Sequence, residues 1–136
     1  MTVFTSPTSL LRFEGAATLL VATYLYSLAS ADWLLFLLLL LVPDVAILGY
    51  VRGSVVGAAV YNLLHTEVGP LILAAVALHW QLLLGLSIAF VWLAHIGMDR
   101  MFGYGLKLTT GFRDTHLGRI GRAQIPSPQR SDWWSR

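Results

Sequence analysis

Hydrophobic residues occur in four long runs that short polar breaks separate. The runs cover residues 10–31, 33–51, 54–78 and 82–102. An α-helix rises about 1.5 Å per residue, so about 20 consecutive apolar residues cross the hydrocarbon core of a bilayer. Each run is long enough for one crossing. The pattern therefore predicts an all-α integral membrane protein, a four-helix bundle.

Two of the runs contain a proline. Pro43 stands in the middle of the second run and Pro70 within the third. A proline removes one helical hydrogen bond and kinks the helix, which membrane helices tolerate when neighbouring groups satisfy the freed carbonyl. Either half of the third run, about twelve residues, is too short to cross. We therefore predict a kink near Pro43 and one long kinked helix over 54–78.

The composition agrees with a membrane protein. Hydrophobic residues make up 57% of the chain and charged residues only 12%, whereas soluble domains carry about 25% charged residues. This composition excludes a water-soluble globule, because too few polar side chains remain to cover its surface. The chain has no cysteine, which excludes disulfides, thiolate metal ligands and a cysteine nucleophile.

The basic residues up to position 122 lie at one end of the predicted spans. They are Arg12, Arg52, Arg100, Lys107, Arg113, Arg119 and Arg122. The loops at the other end contain only Asp32 and the turn 79–81. The positive-inside rule then predicts that both termini are cytoplasmic. Residues 29–31 also resemble a signal-peptidase site, but Glu14 is atypical of the hydrophobic region of a signal peptide.

Ionisable and polar residues of all four runs fall in the same half of the predicted membrane. They are Glu14, Asp44, Asn62, His65, His95 and Asp99. An ionisable side chain that faces lipid at mid-bilayer costs at least about 2.5 kcal/mol, so these residues should face the bundle interior and contact one another. His95 and Asp99 are four residues apart and share one helix face.

Two imidazoles with two or three carboxylates are a suitable ligand set for zinc, iron or manganese. In this interpretation, the ligands of one divalent cation are Asp44, His65, His95 and Asp99, and Glu14 is the catalytic base or a further ligand. A bound cation activates water, and the sequence thus predicts a metal-dependent membrane hydrolase. Two alternatives use the same residues as a polar network: a non-catalytic structural or partner-binding bundle, and a proton-coupled carrier. The scarcity of polar residues in the outer half-membrane argues against the carrier.

After the fourth run, residues 103–122 are rich in glycine and basic residues. Such a segment is predicted to lie at the cytoplasmic membrane surface and to attract anionic lipid headgroups. It lacks the GKS/T ending of a Walker loop, and so it predicts no nucleotide site. The residues predicted to bind the substrate or a headgroup are Asn62, Arg100, Arg113, Asp114, His116 and Arg119.

Two further features concern partners. Residues 123–136 form a polar, proline-containing tail that we predict to be flexible and too short and mixed to bind nucleic acid. Small residues at Gly53, Gly57 and Ala58 in the third run permit close helix contact, within the chain or in a homo-oligomer.

Several motifs together resemble a known family. They are Leu11-Arg-Phe-Glu-Gly15, Pro43-Asp44, Tyr61-Asn-Leu-Leu-His65, Leu93-Ala-His-Ile-Gly-Met-Asp-Arg100 and the glycine-rich stretch 103–122. Over residues 10–122 the chain resembles the small bacterial membrane proteins of domain-of-unknown-function family 4260. The resemblance implies a four-span protein of the bacterial inner membrane. It implies no activity and no catalytic residue.

Overall fold

The computed structural model of the protein describes residues 6–121, which are mostly helical up to Phe102 and form turns and one small hairpin after it. The elements in chain order are α1 (Pro7–Ala29), α2 (Trp33–Leu40), a 3-10 helix (Val42–Arg52), α3 (Ser54–Leu64), α4 (Val68–His79), α5 (Leu83–Phe102), β1 (Asp114–Thr115) and β2 (Gly118–Arg119). The two strands pair in antiparallel fashion. Each predicted apolar run corresponds to helical structure, and the hairpin adds a small sheet to the predicted all-α fold.

Within residues 6–121, three helical segments are long and apolar enough to cross a membrane. They are Trp33–Arg52, Ser54–His79 and Leu83–Phe102. The first helix, α1, is not one of them, because Arg12, Glu14 and several hydroxyl-bearing residues lower its hydropathy. By length and composition, three of the four predicted spans therefore qualify as membrane-spanning segments.

Large apolar side chains cover the outside of the helices. Between 68% and 70% of the surface of Leu20, Leu34, Leu48 and Leu63 is exposed. So many exposed leucines are unfavourable in water, and contiguous apolar surface of this kind indicates contact with lipid. The apolar helices thus favour a membrane environment.

The two prolines lie where the regular α-helix of the second and third runs is interrupted. Pro43 follows the end of α2, and the chain continues as the 3-10 helix. The ring of Pro70 obstructs the carbonyl of Thr66, four residues earlier. The third run accordingly breaks at residues 65–67 and forms two helices rather than the single kinked helix that we predicted. The Trp92 indole donates a hydrogen bond to the Leu64 carbonyl at 2.6 Å and satisfies the end of α3.

Helices α1 and α5 pack in close backbone contact through two glycines. A Cβ atom placed on Gly97 would lie 2.6 Å from the backbone nitrogen of Leu19, and one on Gly15 would lie 2.7 Å from that of Met101. Real Cβ atoms do not approach backbone so closely. Only glycine therefore permits this separation of the helices, which also sets the rotation of α1 about its axis.

The small residues of the third run pack within the chain. A Cβ atom on Gly57 would overlap the ring of Tyr50, and Ala58 is buried. Gly53 has a φ of 104° and forms the turn between the 3-10 helix and α3, a conformation that favours glycine. Gly57 therefore allows Tyr50 to pack against α3 within the chain. The predicted tail, residues 123–136, lies outside the described residues.

Candidate metal centre

Four ionisable side chains converge at one point in the helical domain. Asp44 comes from the 3-10 helix, His65 from the end of α3, and His95 and Asp99 from successive turns of α5. Each offers one nitrogen or oxygen ligand atom, and the four atoms lie within 4.8 Å of one another. The break in the third run positions His65, because it ends α3 directly before this residue.

The distances between ligand atoms are close to those around a metal ion. The two imidazole Nε2 atoms are 3.1 Å apart. Each lies 3.7 Å from Asp44 Oδ1, and the distances to Asp99 Oδ2 are 3.6 Å for His65 and 3.8 Å for His95. Four ligands at about 2.1 Å from a central ion are about 3.4 Å from one another. The largest separation among the four atoms is 4.8 Å, so side-chain shifts of about an ångström would bring all four to one metal ion.

The other nitrogen of each imidazole is held by a backbone carbonyl. His95 Nδ1 lies 2.7 Å from the Leu40 carbonyl, and His65 Nδ1 lies 2.9 Å from the Tyr61 carbonyl. A carbonyl only accepts hydrogen bonds, so Nδ1 carries the hydrogen in both rings. Both Nε2 atoms of the neutral rings therefore present lone pairs, and they face each other.

The lone pairs of four ligand atoms therefore face one another in the centre, with no hydrogen atom between them. Two imidazole nitrogens and two carboxylate oxygens repel one another at these distances unless a cation or an additional proton lies between them. Carbonyl bonds to the outer nitrogens are also the usual way in which proteins orient histidine ligands of metals. The four side chains could therefore hold a metal ion.

Tyr61 supports two of the ligands, a role that the sequence analysis missed. Its hydroxyl donates a hydrogen bond to Asp99 Oδ2 at 3.0 Å. Its ring stacks on the His65 ring with centroids 3.6 Å apart. The spacing of four residues between Tyr61 and His65 was the available signal, since it places both on one face of α3.

The centre is buried on one side and open on the other. His95 is fully buried and His65 is 4% exposed, whereas 43% of the Asp44 side chain is accessible. Asp44 and Asp99 line a cavity of about 370 Å³. The remaining walls are mostly apolar and aromatic: Ile47, Tyr61, Tyr104, Lys107, Phe112 and Ile120. A ligand in this cavity would reach the carboxylate side of the centre.

Lys107 is the only cationic residue that lines this cavity among residues 6–121, and the sequence analysis did not select it. It is 5% exposed. Burial lowers the pKa of its amine, although the carboxylates of Asp99 and Asp44 partly oppose this shift. Asn62 holds the backbone of Lys107 by two hydrogen bonds, accepting from its N–H at 2.7 Å and donating to its carbonyl at 2.9 Å. Asn62 thus positions Lys107 beside the cavity.

Replacing Asn62 with alanine should loosen the segment that carries Lys107. The substitution leaves the N–H and C=O of Lys107 without their partners, which costs about 1–3 kcal/mol when such groups are buried. We expect faster tryptic cleavage within residues 107–121 of the detergent-purified variant. Thr110→Ala, which removes an exposed side-chain bond in the same segment, is the matched control. Equal cleavage rates in both variants would contradict this role for Asn62.

Glu14 is not brought to the centre, contrary to our expectation. It is exposed on α1 and does not belong to the group of converging ligands. The glycine contact explains the difference: α1 turns Gly15 toward α5, so the neighbouring Glu14 points elsewhere. Arg100, another predicted site residue, lies with its Nε 3.9 Å from a carboxylate oxygen of Glu67. It lines a small cavity of about 10 Å³ together with His65 and Asp99, but not the larger cavity on the carboxylate side.

The remaining predicted residues lie in the segment after α5 and do not line the cavity of the centre. Asp114 accepts a hydrogen bond from Thr110 at 3.0 Å and lies 3.5 Å from Arg119 Nε. His116 Nδ1 accepts from a backbone N–H at 2.8 Å. Arg113 is exposed. Arg119 lines a separate cavity of about 680 Å³.

The sequence model of a family described as domain of unknown function (DUF4260) matches residues 8–120. The match covers the helical domain and the segment after α5, in agreement with the resemblance carried by the motifs. No curated protein and no solved structure matches the chain.

Proposed function

Because the chain belongs to the DUF4260 family, whose function is unknown, we propose a function from the site alone: a membrane hydrolase that uses one divalent cation. Asp44, His65, His95 and Asp99 would hold this cation. One observation carries the proposal, namely the convergence of four lone-pair donors on one point with both imidazole N–H groups directed away. The two carboxylates balance the charge of a divalent cation, which reduces the cost of burying it.

The number of protein ligands bears on which cation supports catalysis. Four ligands complete the tetrahedral shell that zinc adopts in structural sites, whereas catalytic zinc keeps a position open. Manganese and ferrous iron accept up to six ligands and would retain positions for water and substrate on the cavity side. We therefore propose manganese or iron for the hydrolase. Such an ion lowers the pKa of a bound water and so supplies the nucleophile.

A carboxylate at the cavity replaces Glu14 as the proposed base. Asp44 is the more exposed of the two carboxylates in the centre. A carboxylate that binds through one oxygen keeps its other oxygen free to accept a proton from water. We assign this role to Asp44, since the exposed Glu14 has no contact with the centre.

The proposed location is the bacterial inner membrane, with α1 as a fourth crossing beside α5 and both termini in the cytoplasm. The clustering of basic residues at one end of the helices supports this orientation. The Arg12 guanidinium at the start of α1 lies against Gly103 at the end of α5, which is consistent with an antiparallel pair. Arg113 and Arg119 at this end would attract anionic headgroups.

Metal analysis tests the proposal. Detergent-purified protein should retain close to one manganese, iron or zinc ion per chain after dialysis against a weak chelator, as measured by plasma mass spectrometry. His65→Ala and His95→Ala should each lose the ion, because each removes a ligand from a buried centre. His79→Ala is the matched control, since His79 is exposed at the end of α4 and should not affect metal content.

The outcomes separate the candidate functions. Manganese or iron that both variants lose would support the hydrolase and lead to assays with phosphoester and lipid ester substrates. Stoichiometric zinc without hydrolysis would indicate a structural centre. Folded wild-type protein without metal, together with variants that are only less stable, would make the cluster the polar network of a non-catalytic bundle or carrier.

A further inference from the structure

The amine of Lys107 has no hydrogen-bond acceptor among residues 6–121. It lies over two aromatic rings, 4.3 Å from the centroid of Phe112 and 4.9 Å from that of Tyr61. Within the described chain, no carboxylate oxygen lies within ion-pair distance of it. A lysine that is 5% exposed normally pairs with an acidic group. Three N–H groups of a buried cation are thus available for a ligand.

Backbone and aromatic contacts restrict the position of this amine. Asn62 fixes the backbone of Lys107, and an isolated bridge joins Lys107 to Thr115 in the hairpin. The rings of Tyr61 and Phe112 restrict the side chain. The structure therefore holds the lysine at the cavity that Asp44 and Asp99 also line. A preorganised cation of this kind costs little entropy when it binds an anion.

The charges in the cavity indicate the charge of that ligand. If a divalent cation occupies the centre, the two carboxylates neutralise its charge. The positive charge of Lys107 then remains uncompensated. A phosphodiester carries one negative charge at neutral pH. It also has oxygens on a tetrahedral phosphorus, so different oxygens face the amine and the metal at the same time. Lysine is a common phosphate-binding residue.

The cavity walls indicate an amphiphilic ligand. Ile47, Phe112, Ile120 and Tyr104 surround the charged groups, and Phe112 and Tyr104 are themselves exposed. The cavity also lies beside α5 near its C-terminal end, next to helices whose outer surfaces are apolar. A phospholipid places its phosphodiester at this level of a membrane and its apolar chains along the helices.

We propose that the cavity beside the metal centre binds the phosphodiester group of a membrane phospholipid, and that the Lys107 amine binds one of its non-bridging oxygens. This inference rests on the proposed metal-dependent function and specifies its substrate class. Hydrolysis of such a substrate adds one water across a P–O bond and releases an alcohol and a phosphate monoester, so that no further reactant is required.

Phosphorus NMR with a paramagnetic ion tests the proposal directly. Protein in a phosphate-free maltoside detergent is loaded with Mn²⁺, and its metal content is measured first. Dimethyl phosphate, a soluble phosphodiester, is then titrated while the width of its phosphorus resonance is recorded. We expect broadening by the wild-type protein and at least a 10-fold weaker affinity for Lys107→Met. Arg52→Met removes an exposed cation that does not line this cavity and should bind as the wild type does.

Two further ligands distinguish a lipid headgroup from a free phosphodiester. Dihexanoyl phosphatidylglycerol should bind more tightly than dimethyl phosphate to the wild type, and this advantage should require Lys107. Dihexanoylglycerol, which has the chains but no phosphate, should not displace dimethyl phosphate. Lys107→Arg retains the charge and should keep part of the affinity, which separates loss of binding from a folding defect in Lys107→Met.

Each outcome bears on a different claim. Wild-type protein without metal would overturn the proposed function and this inference with it. Metal-loaded wild type that leaves the resonance sharp, or Lys107→Met that broadens it equally, would overturn only the role of Lys107. Equal affinity for the lipid and for dimethyl phosphate would overturn the phospholipid as the ligand.

Discussion

Asp99→Asn should abolish the thermal stabilisation of the protein by divalent cations while leaving the fold intact. The side chain keeps its size, and its amide oxygen still accepts the hydrogen bond that Tyr61 donates to Asp99 at 3.0 Å. The centre loses one of its two negative charges and one of its four ligands. We expect metal affinity to fall at least about 100-fold, because substitutions that only disturb the support of a ligand already cost about 10- to 100-fold.

Thermal unfolding with and without cation measures this effect. A cation present at about 100 times its dissociation constant adds about 2.7 kcal/mol to the free energy of unfolding. The wild type should therefore unfold several degrees higher in Mn²⁺ than in chelator, and Asp99→Asn should unfold at the same temperature in both. Asp114→Asn, whose carboxylate pairs with Thr110 and Arg119 instead, should respond as the wild type does. The same cation response in Asp99→Asn would show that the ion binds elsewhere.

The composition of the centre was predictable because depth along a membrane helix follows from counting residues. Asp44, His65, His95 and Asp99 were selected on depth in three separate runs, and the structure brings their ligand atoms within 4.8 Å of one another. The cost of an ionisable group in lipid supplies the remaining information, since it requires the side chains to face inward. These rules need no knowledge of which helices are neighbours.

The position of Glu14 shows what counting depth does not provide. Glu14 has a suitable depth, but the rotation of α1 about its axis depends on the Gly15–Gly97 contact with α5. That contact joins residues 82 positions apart in the sequence. Periodicity within α1 alone did not identify Gly15 rather than Glu14 as the residue that faces the bundle.

Lys107 was missed for a related reason. It follows α5 in a glycine-rich segment, where no helical period predicts the direction of a side chain. Its position depends on the amide of Asn62, 45 residues earlier. Asn62 was selected as a polar residue at the right depth, and in the structure it holds a backbone segment by two hydrogen bonds. The sequence pattern thus predicted a role for Asn62 but not for Lys107, the residue that it contacts.

Gly97→Val should destabilise the protein more than any substitution at the lipid-facing surface. The added side chain would meet the backbone of Leu19 and Gly15, and backbone yields less readily than a side chain. Overpacking costs about 1–3 kcal/mol, and separation of α1 from α5 should bring the loss to the upper end of this range. Thermal unfolding in detergent measures it, with Ala17→Val as the control, because Ala17 is exposed on α1. Equal unfolding temperatures would contradict the close α1–α5 contact and, with it, the explanation for the position of Glu14.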